Sequence, residues 1–211
     1  MAAETPTTIC NMALVRCGAK EITSFQDDVS REAQICRRLF HASRRTALAS
    51  HHWNGAKRSV QLSENTGVTP VFFDYAFTLP TDLLRLISVH PSNDEDAHCD
   101  YDIEDANSTA AQVVLVTDSN QLYIKYVFDN TDLTTMSDGF RDVLVFVLAR
   151  DICMSLGKSS QKYDLTDKQY RRALTIAKSI DGFQDRPQRI ADGSWSTARW
   201  GKYTDKTRVE S

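Results

Sequence analysis

Apolar residues recur along the first fifty positions with the period of a helix. Thr5-Pro6 reads as an N-cap followed by a first helical residue, Ile9, Met12, Ala13 and Val15 repeat on one side, and Gly18 stands just past them. A loop over Thr23–Asp28 follows, where Asp27 or Asp28 is placed to cap a longer second helix running to about Ser50. At about 100° per residue, Ile35, Cys36, Leu39, Phe40, Ala42, Ser43, Thr46 and Ala47 share one arc of that helix. Arg31, Arg37, Arg38, His41, Arg44 and Arg45 share the other, which predicts a segregated arginine face. From Ala56 to Asn130 the period changes to two, in Arg58–Leu62, Tyr75–Leu79, Val113–Val116 and Leu122–Val127, and these predict strands. Gly67-Val68-Thr69-Pro70 and Asp118-Ser119-Asn120 are turn signals. Asp94–Asp105 holds seven acids and reads as a solvated hairpin or long loop.

Helix returns near Ser137 or Asp138 and runs past Met154, with Gly157 placed to terminate it. Val143–Ala149 leave almost no polar face, so this is expected to be the central helix, with Val143, Phe146, Val147 and Cys153 buried. A final helix, about Thr166 to Ile180, carries Tyr170, Ala173, Leu174, Ile176, Ala177 and Ile180 on one side, Arg171, Arg172 and Lys178 on the other, and is ended by Gly182. The expected class is α+β: a helical bundle from residues 1–55 and 133–182, a β-rich insertion over 56–132, and an extended C-terminal arm over 183–211.

Composition narrows the functional classes. With 211 residues and 41% hydrophobic content the chain can build a substantial core. Its longest apolar stretch is far too short to span a bilayer, and Met1–Thr8 lacks the pattern of a secretion signal, so no membrane partner is expected. The five cysteines (Cys10, Cys17, Cys36, Cys99 and Cys153) show no C-x-x-C spacing and read as reduced, small apolar residues. The net charge of −3 hides a separation of sign. Residues 63–132 carry thirteen acids against two bases, a net of −11, whereas the rest of the chain totals +8. Such a split suggests parts that face different neighbours.

Candidate chemistry is sparse. His51-His52 beside Trp53 could suggest a metal or base, but adjacent helical residues diverge by about 100° and no carboxylate partner is evident, so helix-end packing is expected. His98-Cys99-Asp100 with Asp94, Glu95 and Asp96 offers hard ligands, yet matches no Ca²⁺ loop and lacks its glycine. Paired carboxylates such as Glu64 and Asp74 would be needed for a peptidoglycan hydrolase, and abundance of acids is not a site. The arginine face offers a phosphate track for DNA binding, but the chain is acidic and no aromatics interleave with those arginines. Arginine also pairs bidentately with carboxylates across interfaces, which makes Arg37, Arg38, Arg44 and Arg45 candidate subunit contacts. Residues 183–211 have no period and few aliphatics, yet hold two of the three tryptophans. Trp195, Trp200 and Tyr203, interleaved with Arg199 and Lys202, are residue types enriched in binding hot spots and suggest a docking arm. Neither a catalytic residue, a cofactor nor a metal is expected.

Several stretches together resemble the tail tubular protein A, or head-to-tail adaptor, family of short-tailed bacteriophages. They are Ile9-Cys10-Asn11-Met12-Ala13-Leu14 with Gly18, the loop Ile22–Asp28, Ala33 and Cys36 with Leu48 and Trp53, the turn Leu79–Arg85, Ile124-Lys125-Tyr126, and Phe140 with Leu148-Ala149. Asp192-Gly193-Ser194-Trp195 and Arg199 continue it, while residues 91–118 depart from it. The resemblance implies a structural virion protein assembled in the host cytoplasm into a dodecameric ring with copies of itself. Such a ring joins the portal protein to the tail nozzle protein around a channel through which DNA passes without sequence-specific binding.

Overall fold

In the computed structural model, residues 5–94, 97–106, 113–157 and 159–184 are described. Helix α1, Pro6–Cys17, begins where Thr5 accepts a hydrogen bond from the Thr8 N–H and Pro6 needs no donor of its own. It ends at Gly18, whose φ of 67° lets its N–H and that of Ala19 return to the carbonyls of Val15 and Leu14. Helix α2 spans Arg31–Ala49 and α3 spans Asp138–Ser155, capped by the hydroxyls of Ser30 and Ser137. Helix α4, Ser160–Phe183, is capped by Ser159. Helix α3 packs against the other three, and Val143, Val147 and Cys153 are buried as the continuous apolar run requires. No described helix is long and apolar enough to cross a membrane.

Among the described residues six strands lie between α2 and α3. Strands β1 (Lys57–Gln61), β6 (Tyr123–Phe128) and β3 (Leu83–His90) form one antiparallel sheet in the order β1-β6-β3. Strands β2 (Tyr75–Thr78), β5 (Val113–Thr117) and β4 (Tyr101–Asp105) form a second, in the order β2-β5-β4. The layering follows from side-chain alternation. Val127 of β6, with Leu84 and Ile87 of β3, packs into the helical core, while Ile124, Tyr126 and Val89 face Phe77 and Leu115 of the second sheet. The outer face of that sheet buries Ala76, Val114 and Val116 under Val68 and Phe73. Helices, first sheet and second sheet are therefore successive layers of an α+β fold.

Several expectations are corrected. The cap of α2 is Ser30, because Asp28 is spent within the loop, accepting from the N–H groups of Thr23 and Ser30. On α2 the buried positions include Ala33, Arg44 and Leu48, while Ala42 and Thr46 are exposed, so the buried arc is rotated from the expected one. The turn at Pro80 leads directly into β3, and β4 lies inside the acidic run expected to be a hairpin or loop. Helix α4 starts before Thr166 and continues through Gly182, whose position meets no steric conflict. Phe146 is only partly buried, on the side of α3 where the Arg16 guanidinium lies over its ring, 4.0 Å from the centroid.

Candidate functional site

The arginines of α2 divide into two pairs. Arg37 donates to the carbonyls of Phe25 (2.9 Å), Gln26 (3.2 Å) and Asp28 (2.9 Å), and so pins the loop that leads into its own helix. Arg44 is 5% exposed and donates to Asp129 Oδ1 at 2.8 Å, just beyond the end of β6. Arg38 and Arg45 are exposed, the latter with its Nε 3.8 Å from Asp129 Oδ2. Two of the four guanidiniums expected at a subunit contact therefore hold this chain to itself, and two face outward.

The histidine pair acquires a partner that spacing did not reveal. His51 Nε2 lies 3.2 Å from Oδ2 of Asp181, a buried carboxylate from α4 that also receives the Asn54 N–H at 3.3 Å. The Asn54 side chain donates to the Asp181 carbonyl at 3.0 Å. Burial pushes the His51 pKa below the ordinary histidine value, against the pull of the Asp181 charge. Trp53 is buried beside it and donates its indole N–H to the Ala47 carbonyl at 2.9 Å. The cluster closes the end of α2 onto α4, as helix-end packing requires, and its carboxylate comes from a residue remote in sequence. A cleft of about 430 Å³ adjoins it, lined by Ser137, Gly139, Ala177, Ile180 and Asp181.

The remaining candidates do not converge. Glu64 and Asp74 are exposed at the rim of the second sheet. His98 and Asp100 are exposed, and among the described residues no three histidine, cysteine or carboxylate side chains could share a metal ion. Glu95 and Asp96 lie outside the described residues, as do Trp195, Arg199, Trp200 and Tyr203 of the expected arm. The cysteines are free thiols, and Cys17 donates to the Ala149 carbonyl with its sulfur 2.9 Å from that of Cys153.

What the fold does present is apolar surface. Phe183 is 87% exposed at the end of α4, with Ile176 and Ile180 open on the same side. Val71 and Phe72 stand out from the segment that covers the second sheet, Phe72 at 85% exposure. Tyr101 and Ile103 of β4 and Val113 of β5 form a further exposed group. None of these positions appeared as a site in the sequence, because a periodic apolar residue reads as core until the partner layer is known to stop short of it. No family model matches the chain, and no curated protein matches it.

Proposed function

We propose that this chain is a structural virion protein of a phage tail, a head-to-tail adaptor that forms a ring between portal and tail nozzle around the DNA exit channel. The resemblance of its residues to short-tailed phage adaptors supplies the identity of the assembly. The observation that carries the reading is the exposed apolar surface on two different layers, at Ile176, Ile180 and Phe183 on α4 and at Tyr101, Ile103 and Val113 on the second sheet. A chain whose cores are otherwise filled has no use for such side chains in water, and their clustering marks protein contacts. Charge supports the same reading, since the acidic insertion and the basic remainder suit neighbours of opposite sign.

Arg38 and Arg45 remain available to a neighbouring carboxylate, whereas Arg37 and Arg44 serve the fold, which thins the track that DNA would need. Trp195, Trp200 and Tyr203, with Arg199, are the proposed anchors on the portal. The test is the mass of the full chain in solution, alone and with purified portal protein. A closed oligomer, on its own or on the portal, is expected, and deletion of residues 190–211 should abolish portal attachment while leaving the melting curve in place. A chain that stays monomeric in the presence of portal overturns the proposal.

A further inference from the structure

Two of the exposed apolar surfaces, on α4 and on β4, are complementary to each other. On α4, Arg172, Ile176, Ile180 and Phe183 follow one another at intervals of four, four and three residues, so they form one outward stripe. Lys168 lies one turn before Arg172, and both are exposed with no ion pair among the described residues. Of the acids on this helix, Asp167 receives Arg171 at 2.8 Å and Asp181 is buried beneath His51, while Asp164 is exposed one turn before Lys168, so Lys168 and Arg172 outnumber it at that end. The stripe is therefore apolar at one end and net positive at the other.

The second surface has the opposite sign. Among the described residues strand β4 is an edge, paired only with β5. Tyr101 and Ile103 stand opposite Thr117 and Leu115, so they share the face on which Leu115 is fully buried against the first sheet. Yet Tyr101 and Ile103 are nearly half exposed, and so is Val113 opposite Asp105. The first sheet does not reach this edge, which leaves an apolar shelf. Asp105 is exposed on the same face, opposite Val113; Asp100 is exposed just before the strand, Asp102 is exposed on the other face of this edge, and the strand carries no base. From Arg172 to Phe183 the stripe runs about 16 Å at the helical rise, and β4 runs about 13 Å from Tyr101 to Asp105, so the two match in length.

We infer that the α4 stripe of one copy seats on the β4 shelf of the next, with Ile176, Ile180 and Phe183 on Tyr101, Ile103 and Val113 and with Lys168 and Arg172 toward the acids. The inference rests on the adaptor reading and names the contact that reading requires. A patch and its complement at different places on one chain give a head-to-tail contact, the type that generates a ring when the rotation between them closes. A nucleic acid would accept the basic residues but not three open aliphatic and aromatic side chains. The portal could cover either patch, but its binding would leave their match in sign and length without use.

Two full-length variants test this, Phe183→Asp on the stripe and Ile103→Asp on the shelf, each checked for folding by circular dichroism. In sedimentation and native mass measurements, made with portal if wild type needs it to assemble, each variant alone is expected to stay monomeric. A mixture of the two is expected to form a one-to-one heterodimer and nothing larger, because only one intact stripe and one intact shelf remain. The charge reversals Arg172→Glu and Asp105→Arg keep the test alive if an aspartate variant fails to fold. Each should weaken assembly about tenfold or more, the scale of one well-placed interface residue, and the two in one chain should restore it. Normal rings from the variants overturn the contact while leaving the adaptor reading intact; a wild type that never assembles overturns both. If deletion of residues 185–211 raises amide exchange across 176–183 in the monomer, the chain's own tail covers the stripe and the contact is refuted.

Discussion

Replacing Arg44 by methionine separates the two tasks of the arginines on α2. The Arg44 guanidinium reaches Asp129 at 2.8 Å, the shorter of two ion pairs that tie α2 to the segment that leaves β6. Methionine fills a comparable space, and the loss is mainly electrostatic: Asp129 keeps only Arg45, at 3.8 Å and exposed to solvent. Removing one partner of a buried pair costs about 3–5 kcal/mol. The Asp129 side chain is 25% exposed, so water restores part of its solvation, and the expected cost falls to about 2–3 kcal/mol. Arg44 Nε is buried without a hydrogen bond, so the native pair is imperfectly compensated. The double variant Arg44→Met with Asp129→Leu should accordingly recover most of the loss. By contrast, Arg38→Gln and Arg45→Gln should change stability by less than about 0.5 kcal/mol. Urea melts followed by circular dichroism decide the matter: at a slope of about 2 kcal/mol/M, Arg44→Met should lower the midpoint by about 1–1.5 M. If it melts within about 0.5 kcal/mol of wild type, the buried pair contributes nothing and the division of the arginine face is wrong.

Phe140, fully buried with its ring edge-on to Trp53 at 5.4 Å, should cost about 3–5 kcal/mol when changed to alanine, whereas Phe146, half covered by Arg16, should cost about 1–2 kcal/mol; equal losses in the same melts would refute the assigned burial. His51 is held below its ordinary pKa of 6.5, so the unfolded chain binds more protons once pH drops through that value. Its contribution to stability should be complete above about pH 6.5 and decline as pH falls below it, and His51→Gln should flatten that part of the pH profile; an unchanged slope sinks the assignment. At Gly55 an added Cβ would stand 2.7 Å from the Thr135 carbonyl oxygen, so Gly55→Ala should destabilise by about 1–3 kcal/mol, and a neutral thermal melt would show that the short helical turns Asn54–Ala56 and Leu133–Thr135 are not pressed together.

Local signals carried much of the architecture. Thr5-Pro6 and Gly18 bracket α1, and the unbroken apolar run of α3 announces the helix that touches the other three. Strand β3 was hidden for a physical reason. Its Leu83-Leu84 and Leu86-Ile87 pairs send neighbouring side chains to opposite cores, and register shifts between Leu83 and Arg85 and between Leu86 and Ser88 interrupt the period of two. Strand β4 was hidden by composition, because Asp102, Glu104 and Asp105 belong to an edge where charge is tolerated. The candidate residues were harder. A helical wheel places Arg44 with Arg37 and Arg45 but cannot see Asp129, nor can it pair His51 with Asp181, since both partnerships are made by tertiary packing. Exposed apolar residues posed the same problem in reverse: Ile103 and Phe183 belong to good apolar patterns whose partner layers end before reaching them.

The polar contacts at the junction of helices and sheets give the proposed assembly its mechanical logic. A head-to-tail contact closes into a ring only if the angle between the two surfaces on one chain is held nearly constant, since a variable angle yields open chains of mixed length. One surface lies on α4 and the other on the second sheet, so every connection between the layers bears on that angle. Several connections among the described residues stand at the junction. Arg44 binds Asp129, Asn54 binds Asp181, Asn130 donates to the Gly55 carbonyl at 3.0 Å and to Thr135 Oγ1 at 2.8 Å, and Val127 enters the helical core beside Leu84 and Ile87. Both strands of chain that cross between helices and sheets, at 54–57 and 129–135, are thus tied to each other and to a helix. Directional polar links of this kind restrain the groups they connect, while apolar packing alone tolerates small rotations. Arg44, Asp129, Asn130 and Gly55 therefore help to fix how the two surfaces face one another from outside both, while Asp181 does so from between Ile180 and Phe183 of the stripe.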